Sequence, residues 1–394
     1  MPTEHALLSA SGANRWLACP PSALLERKYA NKDTDYTREG TTAHALAELT
    51  LRRTLNQLKP EPEDRNLTVA INSIIETAPY YTPEMLRHVG EYVETVLVEA
   101  SRMGANYGDI QVEVRLDFSP WVPEGFGTAD ALIVTPKRIS VIDFKYGKGV
   151  RVYAEDNPQL RLYALGAYDS VDFLYNITDV TTMVVQPRLG HIDTEELTRA
   201  EFLAWGESIK PIAALAYKGK GELNAGEHCK WCRHKTACPK MLSLADEMAR
   251  MAFDAKEDGS YTTKLTPEGI SELLEKQTLI ADFLKDFSEY ALTQARDNGL
   301  KIPGYKLVES KTNRKYSDEN AVEQKLLANN ITDIYKPVEI LGIAAIEKLL
   351  GKGGAEELIG EYIVKPEGAP MLAPLSDRRE EWRASVTAAE AFSE

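Results

Sequence analysis

Gly127-Thr-Ala-Asp-Ala-Leu-Ile-Val134 and Ile139-Ser-Val-Ile-Asp-Phe-Lys145 are short runs rich in β-branched residues, joined by Thr135-Pro136-Lys137-Arg138. Each run has the composition of a strand and the joining segment that of a turn, which predicts a β-hairpin. Centring the turn on Pro136-Lys137 sets Val134 opposite Ile139, Leu132 opposite Val141 and Asp130 opposite Asp143. Directly opposed side chains have Cβ atoms about 5 Å apart, and two carboxylates placed there repel. A cation between them relieves that repulsion. Period-two alternation brings Lys145 to the face of Asp143. Two oxygen ligands beside an ammonium suit a hard divalent cation, Mg2+ or Mn2+, acting on a phosphate, and the Phe144 carbonyl offers a further oxygen.

Two helical segments extend the constellation. Thr41-Thr-Ala-His-Ala-Leu-Ala-Glu-Leu49 reads as a helix with a threonine N-cap, on which His44 and Glu48 lie one turn apart. A histidine there could supply the nitrogen ligand that the carboxylates lack, although an ordinary helix-surface histidine is the simpler reading of His44 taken alone. Gln159-Leu-Arg-Leu-Tyr163 follows Asn157-Pro158, a helix start, and places Gln159 and Tyr163 on one face. An amide and a phenol at that spacing can grip phosphate oxygens or a base edge. Glu113, in Gln111-Val-Glu-Val-Arg-Leu116, could join the site from a preceding strand, but an exposed strand position is the simpler reading.

His44, Asp130, Asp143-Phe144-Lys145 and Gln159-x-x-x-Tyr163 resemble, in order and spacing, the motifs of RecB-like nucleases of the PD-(D/E)XK superfamily. Asp143 stands where many members carry glutamate. The resemblance implies an α/β restriction-endonuclease-like core, a mixed sheet flanked by helices. It also implies metal binding by His44, Asp130 and Asp143, catalysis by Lys145, and substrate support by Gln159 and Tyr163. Over nearly the full length the arrangement looks like a phage- and prophage-associated family of unknown function usually placed with these nucleases. DNA is then the implied substrate, exonucleolytic digestion in phage recombination or replication the implied role, and a phage single-strand-binding or annealing protein a possible partner class.

The chain has four cysteines: Cys19, and Cys229, Cys232 and Cys238 in Cys229-Lys-Trp-Cys-Arg-His-Lys-Thr-Ala-Cys238. The first residues lack a signal peptide and no apolar segment suggests a membrane span, so a cytoplasmic setting in a bacterium or phage-infected cell is expected. Clustered thiols in that setting favour metal over disulfides, either structural zinc or an iron-sulfur cluster. One distant N-terminal cysteine plus a C-x2-C-x5-C group resembles the [4Fe-4S] staple of AddB-type and CRISPR-adaptation nucleases. His228 and His234 flank the group as alternative ligands, although the basic residues around them fit a solvated or DNA-facing loop better.

A net charge of −14 argues against a surface that binds nucleic acid everywhere. It leaves room for local basic patches: Lys137, Arg138, Lys145, Lys148 and Arg151 around the hairpin, and Lys230, Arg233, His234, Lys235 and Lys240 in the cysteine segment. The chain organisation reads as a nuclease domain with the cysteine site over 1–250, then an α-rich extension over 251–394 with a hairpin and a frayed end. Strands are expected at about 110–118, 128–135, 139–146 and 180–187, and a helical stretch from Glu195 to Tyr217 that Pro211 kinks or divides. Pro60-Glu-Pro-Glu-Asp64 breaks the His44 helix, and 256–263 has linker composition. A helix is expected from Pro267 to Asn298, then a strand or hairpin over 304–316. No Walker A loop is present, so no ATP-driven motor is expected. Two rival functions stand beside the deoxyribonuclease: a non-catalytic DNA-binding or scaffold protein on the same fold, and a zinc-stapled RNA-processing nuclease.

Overall fold

Strands buried along nearly their whole length need cover on both faces of the sheet, and Arg138–Phe144 and Asp179–Gln186 are of this kind. The computed structural model describes residues 6–29, 34–58, 65–255, 261–263 and 266–308, with a few positions between 324 and 363. Short helices α1 (Ala13–Ala18) and α2 (Ser22–Glu26) precede α3 (Asp35–Leu58), α4 (Arg65–Thr77) and α5 (Pro83–Met103). Strands β1 (Ile110–Asp117), β2 (Phe126–Val134) and β3 (Arg138–Phe144) follow, then α6 (Pro158–Val171), β4 (Asp179–Gln186) and β5 (His191–Thr198). Next come α7 (Arg199–Tyr217), α8 (Pro239–Ala252), the two-stranded β6 (Phe253–Ala255) and β7 (Tyr261–Thr263), and α9 (Pro267–Asp297). Met1–Leu307 make one compact unit.

The main sheet is mixed and five-stranded in the order β1-β2-β3-β4-β5. Only β3 and β4 run parallel, with α6 as the crossover between them. Alternation along the strands sends side chains to two cores. Leu132, Val141 and Val184 pack with Leu160, Leu165 and Phe202 of α6 and α7 on one face. Ile133, Ile142, Phe144 and Val185 pack with Leu46, Leu51, Val89 and Tyr92 of α3 and α5 on the other. The fold is therefore α/β, a mixed sheet between helical layers, as the strand pattern predicts. Among the described residues no helix is long and apolar enough to cross a membrane.

The expected hairpin register holds, with Val134 opposite Ile139 and Leu132 opposite Val141. Other expectations need correction. The His44 helix begins at Asp35, so Thr41 is no N-cap; its hydroxyl donates to the Thr37 carbonyl one turn back, at 3.0 Å. The stretch from Glu195 is not helical at first. His191–Thr198 alternates half-buried and exposed positions and pairs antiparallel with β4 along its length. The turn into it uses Gly190 at φ +55°, a conformation glycine tolerates best. The helix starts only after Thr198, whose side chain and Glu201 form a reciprocal capping box. That Thr-x-x-Glu signature was readable in the sequence. Pro211 does not divide α7, which runs through it as one helix. Part of the expected linker, Tyr261–Thr263, is a strand paired with β6. Residues 304–308 carry no strand, and the expected break at 60–64, most of the hairpin over 304–316 and the C-terminal end fall outside the described residues.

Candidate functional site

The pairing of β1 with β2 runs Val112 to Ala131 and Val114 to Ala129, so Glu113 stands opposite Asp130. The pairing of β2 with β3 ends at Ala131 and Ile142, so the next pair in register is Asp130 and Asp143. Three carboxylates thus occupy one row across three adjacent strands. The ladder between β1 and β2 skips this row, and Glu113 takes φ +50°, a conformation costly for any residue with a Cβ. Backbone strain at the acidic row is held in place by the paired strands on either side.

Helices from both layers reach the row. From α3, His44 Nδ1 lies 3.0 Å from Asp130 Oδ1, and its ring packs edge-on against Phe144 with centroids 5.4 Å apart. The second oxygen of Asp130 accepts the Phe144 backbone N–H at 2.7 Å. Ligand atoms of His44, Glu113 and Asp130 all lie within 4.8 Å of one another. Asp143 is buried; Lys145 Nζ is 2.9 Å from its Oδ2, and Gln159 Nε2 from α6 donates to its Oδ1 at 3.2 Å. The same amide nitrogen lies 3.3 Å from the Tyr163 hydroxyl, which joins the amide and the phenol in one network. Tyr163 fits because β2 carries glycine beneath it: a Cβ on Gly127 would meet the ring at 2.6 Å.

The electrostatics record the crowding. Burial, then Asp130 and Glu48, push the Glu113 carboxyl up to about 7. Burial raises Asp143 too, with Asp130 adding to the effect and Lys145 opposing it. Burial disfavours the charged forms of His44 and Lys145, yet the carboxylates around them outweigh it and raise both. Burial and Asp143 lift the Tyr163 phenol to about 12. A cluster of one imidazole and several oxygens, short of positive charge, fits a hard divalent cation.

The expected site residues from the hairpin and the two helices therefore meet: His44, Asp130, Asp143, Lys145, Gln159 and Tyr163, with the Phe144 backbone among them. Glu113 was misjudged as an exposed strand residue. The sequence could not place it, because residues 118–125 between β1 and β2 make no tight turn that would set their register. Lys137 and Arg138 do not belong to the patch around the site. They sit at the turn end of the hairpin, roughly 15 Å of strand away, where Arg138 lies 3.9 Å from Asp179.

The cysteines form a second centre. Cys19, Cys229, Cys232 and Cys238 line a single cavity, and none is in a disulfide. His228 and His234 line it as well. Burial pushes the Cys232 thiol up to about 11 and raises Cys229. The distant segments are stitched together around it. Buried Glu26 pairs with Arg15 and accepts the Arg233 N–H at 2.8 Å; Asn224 donates to the Ala18 carbonyl at 2.9 Å; Tyr29 meets His234 at 3.0 Å. From α9, Phe283 packs on Cys229 and Cys238, and Asp286 pairs with Lys235. The basic residues of this segment are thus largely engaged in structure: Arg233, Lys235 and Lys240 all have carboxylate partners.

The crystal structure of SSO0001 matches 56 % of this chain and 95 % of its own, at 16 % identity with a TM-score of 0.24, too low a likeness to carry a structural argument. At the level of family the relation is broad, extending over residues 5–380: the chain belongs to the family described as "Protein of unknown function (DUF2800)".

Proposed function

We propose that this chain is a metal-dependent DNA nuclease of the RecB-like PD-(D/E)XK type, hydrolysing phosphodiester bonds with Mg2+ or Mn2+. The observation that carries the reading is the row Glu113-Asp130-Asp143, engaged by His44 on one side and by Lys145 and Gln159 on the other. His44, Glu113, Asp130 and Asp143, with the Phe144 carbonyl, would hold the cation. When bound, it supplies Lewis-acid polarisation of the phosphate and lowers the pKa of water. In the hydrolysis, one P–O bond forms to water and one breaks, and a proton passes to the leaving oxygen. Lys145, paired with Asp143, would steady the charge that builds on the phosphate or help move that proton. Gln159 acts by fixing Asp143 and the Tyr163 hydroxyl, so both helix residues support the site from α6.

The cysteine cavity supports a [4Fe-4S] staple joining the two ends of the nuclease unit. Four thiols around one cavity are a soft donor set suited to iron-sulfur or zinc, and not to Mg2+. Anaerobically purified protein should be brown and contain iron and acid-labile sulfide. Colourless protein with one zinc per chain would replace the cluster by zinc and leave the staple in place.

The test of the activity is incubation with end-labelled single- and double-stranded DNA and RNA, with and without Mn2+. Mn2+-dependent DNA cleavage that is lost in Asp130→Ala is the expected result. Absence of cleavage of any DNA would favour the binding or scaffold reading, and cleavage of RNA alone the RNA-processing one.

A further inference from the structure

Between Lys145 and α6 the chain runs through 147–157 without regular secondary structure, yet side chains of β4 and β5 fasten it along its length. Gln186, buried at the end of β4, donates from Nε2 to the carbonyls of Gly147 and Val150, at 2.7 and 2.8 Å. Its Oε1 accepts the Val152 N–H at 3.2 Å. His191 Nε2 lies 2.9 Å from the Val152 carbonyl, Asp193 accepts the Ala154 N–H at 2.7 Å, and Glu195 accepts the Asp156 N–H at 2.9 Å. Fixing a residue's backbone costs roughly 1–2 kcal/mol of conformational entropy, so this loop is held at considerable expense.

What it holds out is unusual for a chain of net charge −14. Lys148 and Arg151 are exposed, and among the described residues neither has a carboxylate partner. Val150 and Tyr153 are 55 % and 46 % exposed. The Tyr153 ring is nevertheless fixed, packed edge-on against His191 with centroids 5.2 Å apart. Two cations, an apolar side chain and an oriented aromatic ring, three to eight residues beyond Lys145, combine the elements that bind single strands: charge for phosphates and a ring face for an unstacked base. Bases in a duplex are already stacked on both sides, so the tyrosine has nothing to gain from them.

We propose that the 148–153 loop is a binding arm for single-stranded DNA, with a base stacked on Tyr153, phosphates passing Lys148 and Arg151, and Gln186 as the positioning residue that holds the arm. The proposal rests on the nuclease reading and names its substrate class, a single-stranded end or flap.

The test measures fluorescence anisotropy of a labelled oligothymidylate with the full chain, without added divalent metal, so that binding is read apart from turnover. Tyr153→Ala should weaken binding about 10-fold and Tyr153→Phe should restore it. The double variant Lys148→Ala/Arg151→Ala should lower the slope of log affinity against log salt by about 1.4. Gln186→Ala should raise KM for a single-stranded substrate with kcat little changed, since the arm it releases binds the strand and does not touch the reacting phosphate. Binding unchanged in Tyr153→Ala and in the double variant overturns the arm, as does tighter binding of blunt duplex or of oligouridylate than of oligothymidylate. Protein that binds DNA through Tyr153 but cleaves none with Mn2+ overturns the nuclease reading and leaves the arm; protein that cleaves while Tyr153→Ala and the double variant both bind like the parent does the reverse.

Discussion

In the hairpin site the chemistry comes from chain neighbours: Glu113, Asp130 and Asp143 face one another because three consecutive strands pair in register. In the cysteine cavity it comes from distant chain segments, with Cys19 meeting Cys229, Cys232 and Cys238 across more than two hundred residues. The first arrangement is cheap in chain entropy and costly in electrostatics, because it buries like charges together. The second is the opposite, since thiols bury easily but the loop between them is long. Stability and function should therefore separate when each region is cut. On the proposed reading, the hairpin site gives up folding energy to hold a reactive cluster, and a metal at the cysteine centre would supply folding energy without touching substrate.

Cys19→Ser should show the largest effect. Treating a shared metal centre as a cross-link over that loop, its loss costs on the order of 5 kcal/mol in the chain-entropy relation for closed loops. Urea unfolding of the metal-loaded protein should show the midpoint falling by that measure, and activity should decline only in step with the folded fraction. A Cys19→Ser protein as stable as the parent would break the comparison, because the cavity would then be four thiols with no structural role.

Asp143→Asn is the converse. Removing one carboxylate from the row should lower turnover on the order of 1,000-fold, or about 4 kcal/mol of barrier. The urea midpoint should hardly move, since a repulsion is relieved as the Lys145 ion pair is lost. Single-turnover rates in Mn2+ read alongside urea midpoints check both halves.

How far these two regions could be read beforehand follows from how they are built. The hairpin was legible because β-branched runs around a Pro-Lys turn admit one register, and that register dictates which side chains face. That logic stops at β2, since residues 118–125 set no register for β1, and the left-handed backbone of Glu113 is a tertiary effect that no local pattern encodes. The cysteine spacing named its partners, while Glu26, Arg15 and Asn224, which join the segments, belong to ordinary surface-like sequence and gave no sign. Strand β5 was misread because Glu195-Glu-Leu-Thr-Arg-Ala has helical composition. Pairing with β4 and the capping box at Thr198 settle where the helix starts. Arg138 shows the limit of proximity in sequence: five residues from Asp143, it lies at the far end of the same strand.

Glu26→Ala sharpens the contrast without removing a thiol. The carboxylate is buried, and its loss leaves the Arg15 guanidinium and the Arg233 N–H without their acceptor. Breaking one side of such a pair costs about 3 kcal/mol. The midpoint in urea should fall accordingly while metal content at the cysteine centre stays at parental stoichiometry in the folded protein. Metal loss on Glu26→Ala with an unchanged midpoint would show that the ion pair serves the ligands and not the joining of the segments.

Gln159→Ala should have the smallest effect, and it tests how the helical layer acts on the strand row. The amide donates to Asp143 Oδ1 at 3.2 Å and lies 3.3 Å from the Tyr163 hydroxyl, so it touches the proposed cation ligand and the phenol at once. Removing it leaves Lys145 as the remaining partner of Asp143 and lets the carboxylate turn. A single lost hydrogen bond to a charged acceptor is worth about 1.5–3 kcal/mol, and part of that returns when water replaces the amide. Turnover should therefore fall about 10-fold, with Mn2+ affinity by calorimetry changed far less than in Asp143→Asn, and Gln159→Glu should be worse because it sets a further carboxylate against Asp143. If Gln159→Glu matches the parent, the amide donates nothing that matters to Asp143, and α6 contributes only the packing of Tyr163 over Gly127.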